Sequence, residues 1–215
     1  MTTDAKRNIA HIKRFNIASE NISIILPIFH KTTYQNVIQP YNNYATLLEY
    51  QITTLLHNFP KADIFIVLGY NADKILAKLY DKFSVRFINN HIYQSTNLAY
   101  GISLAIQASN RSAILTIHGN IIFNQSITRI ISNQSSVLLS PQNYNTTQVG
   151  VFVRNNLVTN FAYSLPQKWC GIAYLVEKEL ALYKNLCFDY KNHMMLDYEI
   201  LNKIVDHGGK IYATL

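Results

Sequence analysis

Continuous apolar runs alternate with stretches of helical periodicity in the first half of the chain. Runs rich in β-branched residues predict strands buried on both faces at residues 22–29, 63–69 and 113–117. A shorter strand is predicted at residues 84–88, and residues 121–123 are expected to continue the fourth strand after an interruption.

Apolar positions three and four residues apart predict helices between these strands, at residues 46–59, 71–80 and 96–109. Pro60 marks the end of the first of these helices. Strands that alternate with helices of this length are joined by right-handed crossovers, so we expect a mostly parallel sheet between two layers of helices.

The second half of the chain has a different pattern, with short strands between Asn-rich turns. These strands and the helices after them are predicted as follows: strands at residues 136–139, 149–153 and 157–161, a hairpin turn at 154–156, helices at 172–183 and 198–205, and a last strand at 210–213. The fold class predicted is α/β, with a mostly parallel, Rossmann-like sheet flanked by helices and a small antiparallel extension. Residues 1–20 are expected to form a basic N-terminal arm or helix, and residues 21–215 a single domain.

Composition narrows the function classes. Hydrophobic residues make up 49% of the sequence, which is enough for a sizeable core and excludes a disordered chain. Only 14% of the residues are charged, and the formal net charge of +7 permits an anionic partner. The 15 tyrosines are scattered rather than interleaved with Lys and Arg, which argues against nucleic acid as that partner.

Two further observations concern the compartment. The apolar run near the start is too short to span a bilayer, and no signal-peptide core precedes it, so a cytoplasmic protein without a membrane partner is expected. Cys170 and Cys187 match no metal-ligand spacing and are expected to be reduced thiols in or near the core.

Candidate chemistry lies where the predicted parallel strands end, because open α/β sheets bind their ligands beyond the carboxyl ends of the strands. The segments at these ends are residues 30–44, 69–71, 89–97 and 118–120. Neither a Walker-type phosphate loop nor a Gly-x-Gly-x-x-Gly motif occurs in the sequence, which argues against P-loop and dinucleotide-binding proteins.

Several segments nevertheless occur in a recognisable order. Residues 46–52 (TLLEYQI), 63–70 (DIFIVLGY) and 114–123 (ILTIHGNIIF) together resemble the sugar-1-phosphate and phosphocholine nucleotidyltransferases. Trp169 and residues 197–202 are similar to the acceptor-side half of that family.

The resemblance extends over residues 22–214. It implies a GT-A-like, nucleotidyltransferase fold in which a nucleoside triphosphate reacts with a phosphorylated acceptor and releases pyrophosphate. It also implies Mg²⁺ held by carboxylates, with basic groups and backbone N–H groups around the phosphates.

The sequence departs from this pattern at the positions that serve the phosphates. No glycine occurs between Met1 and Gly69, so the glycine-rich loop expected after the first strand is missing, and the Pro-Lys pair expected before the first helix is not recognisable. Asn120 stands where the resemblance implies a metal-binding Asp, and the second metal carboxylate is expected after residues 210–213, where the sequence ends at Leu215. We therefore expect a catalytically degenerate pseudoenzyme without a cofactor, with Mg²⁺ expected only if the chain is an active enzyme.

The resemblance and the strand ends together nominate ligand-binding residues, whereas no catalytic residue and no metal ligand is assigned. Histidine and lysine side chains are expected to meet a phosphate, and Asn97 and Ser103 a base or sugar. The full set is His30, Lys31, Gly69, Asn97, Ser103, His118, Gly119 and Asn120. The expected partners are a nucleotide or phosphorylated small molecule, together with a protein partner or a second copy of the chain.

Two local interpretations accompany this set. The side chain of His118 is expected to bond a neighbouring backbone carbonyl. Asp197 and Glu199 are expected to cap the helix that begins near them.

Three alternatives remain open. An active nucleotidyltransferase would recruit its carboxylates from elsewhere: Asp73, Asp189, Asp197 or Glu199. A metal-independent GT-A-like glycosyltransferase is suggested by the opening strand, although the Asp-x-Asp motif is missing after the fourth strand. A structural or adaptor protein would use the Asn- and Tyr-rich surface for assembly.

Overall fold

Four parallel strands form one half of the sheet. A computed structural model describes residues 21–43, 45–141 and 147–215. Its first four strands are β1 (Ile22–Pro27), β2 (Asp63–Leu68), β3 (Arg86–Asn89) and β4 (Ala113–Ile117). They lie in the order β3-β2-β1-β4 and are parallel throughout, which confirms the prediction for this half. The predicted N-terminal arm lies outside the described residues.

Five further strands form the other half, which is larger than the predicted extension. They are β5 (Ser136–Leu139), β6 (Val149–Arg154), β7 (Leu157–Tyr163), β8 (Gln167–Val176) and β9 (Tyr212–Thr214). The strand β8 runs antiparallel to both β4 and β5 and so joins the two halves. The order continues β8-β5-β9-β7-β6, and β6 pairs back with β8, which closes this half into a barrel-like arrangement. The fold is therefore a mixed α/β fold, and the expectation of a mostly parallel sheet holds only for the first half.

Helices cover both faces of the parallel half. Within the described residues the α-helices are α1 (Lys31–Val37), α2 (Leu47–Asn58), α3 (Ala72–Leu79), α4 (Leu98–Gln107), α5 (Glu177–Phe188) and α6 (Asp197–Asp206). Two short 3-10 helices are formed by Gln125–Ile130 and Tyr190–Asn192.

Two hydrophobic cores follow from this layering. Ile24 and Leu26 of β1 pack in the core that contains apolar residues of α1, α2 and α3. Ile25, between them, packs in the opposite core with α4, α5 and α6. Side chains on a strand point alternately to its two faces, so an unbroken apolar run such as β1 is needed where both faces are covered.

Three elements differ from the predictions. Residues 172–176 belong to β8 rather than to a helix, because this central strand is buried on both faces and its apolar run cannot be told from a helical one by periodicity. Residues 121–123 are not a strand, since the carbonyl groups of Ile121 and Phe123 are bound by side chains of α2. Helix α1, in the segment after β1, was not predicted.

Helix α2 begins with a capping box that also carries a buried carboxylate. Glu49 accepts hydrogen bonds from the backbone N–H and hydroxyl of Thr46, while the Thr46 hydroxyl accepts from the Glu49 N–H. The Glu49 carboxylate also pairs with Lys82 at 2.7 Å and with Lys78 at 3.6 Å. Burial raises the pKa of Glu49, but the bonds from Lys82 and Thr46 and the charge of Lys78 outweigh it and lower the pKa to about 2.

We expect Glu49→Gln to destabilise the protein by about 1–2 kcal/mol at neutral pH, since an ionic hydrogen bond is lost while both lysines are half exposed. Because the pKa of Glu49 falls on folding, its contribution is present above about pH 4.5 and is lost as the pH falls towards 2. The difference in free energy of unfolding between variant and wild type, measured by urea denaturation, should therefore shrink across this range. Asp73→Asn, at an exposed acid of α3, is the matched control, and a constant difference at all pH values would contradict the assignment.

Candidate ligand-binding site

A cleft of about 850 Å³ opens at the carboxyl end of β4. It lies between the loop that follows β4, the first residues of β8 and the start of α6, and it has the size of a small-molecule site. Its walls contain apolar and aromatic side chains together with a few polar ones. The polar and aromatic side chains used below are His118, Asn120, Tyr163, Lys168, Trp169 and Asp197.

A buried carboxylate organises one wall of this cleft. Asp197, the first residue of α6, is completely buried. Its carboxylate accepts a hydrogen bond from the Tyr183 hydroxyl of α5. It also shares the Thr116 hydroxyl of β4, which lies 3.5 Å from the carboxylate and 3.4 Å from the Ala173 carbonyl. The Nε2 atom of His118 lies 3.3 Å from the same carboxylate oxygen that Thr116 contacts. The prediction that the His118 side chain bonds a backbone carbonyl is therefore wrong.

The charge of Asp197 also changes its neighbours. Burial and the negative charge of Asp197 raise the pKa of Tyr183 well above its ordinary value, so Tyr183 stays a hydrogen-bond donor. Burial and the same charge raise the pKa of the Cys187 thiol. Glu199 caps α6 as predicted, since it accepts a hydrogen bond of 2.7 Å from the Leu196 N–H. The Asp197 carboxylate does not cap the helix; its contacts with Tyr183 and Thr116 connect α6 to α5 and β4.

The imidazole ring of His118 is held from the side of β8 as well. The backbone N–H of His118 donates to the Gly171 carbonyl at 3.0 Å. Gly171 has a φ of +71°, and a Cβ atom there would lie 2.8 Å from Nδ1 of His118, so only glycine fits at this position. The Trp169 ring meets the imidazole edge-on with centroids 5.0 Å apart, and its indole N–H donates to the Ile172 carbonyl. His118 therefore has one defined orientation at the edge of the cleft.

The exposed charge in the cleft is positive. Residues 82–176, which supply most of its lining, contain no Asp or Glu. Asp197 is the one acidic residue among the described residues of the lining, and it is buried behind its three donors. Lys168 supplies a cation, whereas burial raises the pKa of the neighbouring Cys170 thiol against the opposing effect of Lys168. The cleft is thus suited to an anion and lacks an activated thiol nucleophile in its described part.

Helix α2 holds the outer side of the loop that follows β4. The side-chain Nε2 of Gln51 donates to the carbonyls of Gly119 at 2.8 Å and Ile121 at 2.7 Å. The Tyr50 hydroxyl donates to the Phe123 carbonyl at 2.9 Å. Gln51 is completely buried, and its Oε1 has no partner among the described residues. An unsatisfied buried acceptor costs about 1–3 kcal/mol.

The structure brings only some of the predicted ligand-binding residues together. His118 and Asn120 both line the cleft. Gly119 lies between them, but its backbone packs against Ile28 and helix α1, since a Cβ atom there would lie 2.5 Å from Ile28 and 2.7 Å from Thr33 of α1. These three positions form the loop at the end of β4.

His30 and Asn97 form a separate pair. The Nε2 atom of His30 lies 3.2 Å from Oδ1 of Asn97, and the same oxygen caps α4 by accepting from the Leu98 N–H. The backbone N–H of Asn97 donates to the His193 carbonyl at 2.8 Å. This pair ties the segment after β1 to α4, and neither residue lines the cleft.

The remaining predicted residues lie apart from both groups. Gly69 is in close contact with Phe29 and Tyr93, where a Cβ atom would lie within 2.8 Å of either side chain. Lys31 is exposed at the start of α1. Ser103 is buried in α4, and its hydroxyl donates to the Tyr100 carbonyl.

Several residues of the cleft were not among the predicted ligand-binding residues. Asp197 was expected to cap a helix and was otherwise named only as a replacement carboxylate for an active enzyme. Lys168 was not singled out, and Gln51 was noticed only as part of a motif. The sequence contained one signal for Asp197. Residues 82–176 contain no Asp or Glu, so a carboxylate near the end of β4 can only come from a segment distant in the sequence.

Mg²⁺ does not fit the residues that are present. It prefers several oxygen ligands, usually including carboxylates. The described part of the chain contains no group of three His, Cys, Asp or Glu residues placed to hold a metal ion. Asn120 offers a neutral amide, and the oxygens of Asp197 face Tyr183, Thr116 and His118.

The other acids proposed as replacements do not lie in the described lining of the cleft. Asp73 is on α3, Asp189 accepts from the Lys191 N–H, and Glu199 caps α6. No helix in the described residues is long and apolar enough to cross a membrane.

The parallel strands, the antiparallel closure and the cleft at the end of β4 define a nucleotidyltransferase-like fold. The chain is similar to the inositol-1-phosphate CTP transferase from T. maritima, with 15% identity, a TM-score of 0.67, and coverage of 91% of this chain and 85% of that chain. It is similar to the CTP:phosphocholine cytidylyltransferase LicC from Streptococcus pneumoniae, with 15% identity, a TM-score of 0.65, and coverage of 90% and 89%. It is also similar to HddC from Yersinia pseudotuberculosis, with 13% identity, a TM-score of 0.63, and coverage of 89% of both chains.

These similarities confirm, at the level of the fold, the resemblance that the order of motifs indicated. No protein-family model and no curated protein matches the sequence.

We expect Asp197→Ala to destabilise the protein by about 1–3 kcal/mol, since it removes the acceptor shared by three elements and leaves the buried Tyr183 hydroxyl without that acceptor. Urea denaturation monitored by circular dichroism would measure the loss. Asp206→Ala, at an exposed acid near the end of the same helix, is expected to change stability by less than about 0.5 kcal/mol. Equal effects of the two substitutions would contradict the role assigned to Asp197.

Proposed function

We propose that the protein is a pseudoenzyme of the nucleotidyltransferase fold, which binds a phosphorylated small molecule in the cleft and transfers no nucleotidyl group. The observation that carries this proposal is the cleft itself. Trp169 and the start of α6, which resemble the acceptor-side half of the family, form part of its walls together with the loop that follows β4, and its exposed charge is positive. Three arguments support the proposal.

The first argument concerns the nucleotide side. Helix α1 occupies the place where the resemblance implies a glycine-rich phosphate loop. Its residue Thr33 and Ile28, the residue after β1, pack directly on the backbone of Gly119. Close approach of a phosphate to a backbone needs exposed N–H groups and little side-chain bulk, and this packing supports a protein that no longer binds a triphosphate there.

The second argument concerns charge. Lys168 and His118 are the basic side chains of the described lining, and the one carboxylate there is buried. A phosphate monoester would therefore meet a cation and hydrogen-bond donors without an exposed anion to repel it. Tyr163, Trp169 and nearby aliphatic side chains offer an apolar wall to the rest of the ligand.

The third argument concerns the metal. Nucleotidyl transfer depends on neutralisation of the phosphate charge, and the described residues do not fit Mg²⁺. Binding without transfer needs no such ion, so the proposed function has no cofactor.

Isothermal titration calorimetry with and without Mg²⁺ tests the proposal. The probes are inositol 1-phosphate, glucose 1-phosphate, phosphocholine, inorganic phosphate and the five common nucleoside triphosphates. We expect at least one phosphorylated small molecule to bind without Mg²⁺, and no pyrophosphate to be released when it is mixed with any triphosphate. Pyrophosphate release that requires Mg²⁺ would replace the proposal with an active nucleotidyltransferase. Binding of no phosphorylated probe would also overturn it and direct attention to assembly with a protein partner or a second copy.

We expect Lys168→Met to weaken binding of the phosphorylated ligand by about 10-fold to 100-fold, the range that follows from loss of one ionic hydrogen bond. Titration calorimetry at low ionic strength measures the change. Lys74→Met, at an exposed lysine of α3, removes the same charge away from the cleft and should leave the affinity within about twofold. Equal losses in the two variants would mean that only the overall charge matters.

A further inference from the structure

The loop that follows β4 is held at alternate carbonyl groups. Gln51 binds the carbonyls of Gly119 and Ile121, and Tyr50 binds that of Phe123. Two consecutive residues of α2 therefore fix three peptide groups of a segment that has no strand partner in the described part of the chain. Asn120 lies between Gly119 and Ile121, and the Gln51 side chain binds the carbonyls of both neighbours.

Gln51 binds two carbonyl groups at the expense of one unpaired atom of its own. Its Oε1 is buried without a partner among the described residues, which is unfavourable. Methionine has nearly the same length and volume and would remove this oxygen, but it would leave the carbonyls of Gly119 and Ile121 without their donor. The amide is explained by its two N–H donors, which an apolar side chain could not supply.

Asn120 is the polar residue at the centre of the clamped segment. Its side chain is exposed, lines the cleft, and makes no hydrogen bond within the described residues. An amide without a protein partner can donate to a phosphate or hydroxyl of a ligand and can accept from a hydroxyl. Its usefulness depends on its position, because a group fixed in advance loses less entropy when the ligand binds.

We propose that Gln51 is a positioning residue for the cleft, which holds Asn120 in the conformation that binds the ligand through the two carbonyls on either side of it. The inference rests on the proposed function, since it assigns a role in the binding of the same phosphorylated ligand. Gln51 does not touch the ligand in this arrangement.

The first test compares two substitutions in the same helix. Gln51→Met should weaken ligand binding about tenfold, and it should also lower the midpoint of thermal unfolding, because two carbonyls lose their donor while only one unpaired oxygen is removed. Ile52→Val, at the next residue, trims the hydrophobic core and should lower the midpoint without changing the affinity. Wild-type affinity in Gln51→Met would overturn the proposal, as would a loss of affinity in Ile52→Val as large as that in Gln51→Met.

A double-mutant cycle with Asn120→Ala tests whether Gln51 acts through Asn120. In the Asn120→Ala background, Gln51→Met should have little further effect on affinity, because the side chain it positions is gone. Additive losses would show that Gln51 acts on the cleft by another route and would contradict the assignment.

A readout without ligand separates this inference from the proposed function. If wild-type protein binds none of the phosphorylated probes, the proposed function fails, and the NMR order parameters of the backbone amides of residues 120–122 then decide on the clamp. We expect Gln51→Met to lower these order parameters relative to wild type and to Ile52→Val, because the two carbonyls that hold the segment lose their donor. Unchanged order parameters would overturn the clamp itself.

Discussion

A carboxylate that is removed from water needs hydrogen-bond donors, and Asp197 takes its donors from three different elements. Tyr183 comes from α5, Thr116 from β4, and His118 from the loop beyond β4. Loss of any of these contacts would leave part of a buried charge uncompensated, which is unfavourable in a low-dielectric interior. The wall of the cleft, the orientation of His118 and the docking of α6 on the sheet therefore depend on one side chain.

The two halves of the molecule use their strand ends differently. In the parallel half, helix α1 follows β1, and its residue Thr33 packs on the backbone of Gly119. In the antiparallel half β8 continues the sheet and also supplies Lys168, Trp169 and Gly171 to the cleft. The segment after β1 thus contributes to packing, whereas the first residues of β8 face an open cleft.

Features that depend on residues close together in the sequence could be predicted, whereas features that depend on contacts between distant residues could not. The strands β1, β2 and β4 were predictable because burial on both faces imposes an unbroken apolar run on the sequence itself. The strand β8 was mistaken for a helix in part, since its last residues pass without a turn signal into α5, which begins at Glu177 with a positive φ.

The site was less predictable than the fold. His118 and Asn120 were found because a strand end is a local feature, but the partner of His118 lies 79 residues further along the chain. The burial of Ser103 in α4, away from the cleft, likewise depends on how the helix packs and could not be predicted from the motif alone. Pairings of this kind depend on topology, which a periodic pattern does not specify.

The pairing of β6 with β8 affects how copies of this protein can associate. A strand that ends a sheet exposes unpaired backbone groups, to which another chain can add by strand pairing. In this sheet β6, at one end of the strand order, pairs back with β8. The strand at the other end is β3, which is four residues long and begins with Arg86. The Arg86 guanidinium lies over the Phe65 ring and donates to the Ala108 carbonyl, so a charged side chain is fixed beside this short border. The described sheet thus offers little backbone for intermolecular addition, which protects a chain with few surface charges from aggregation through its strands.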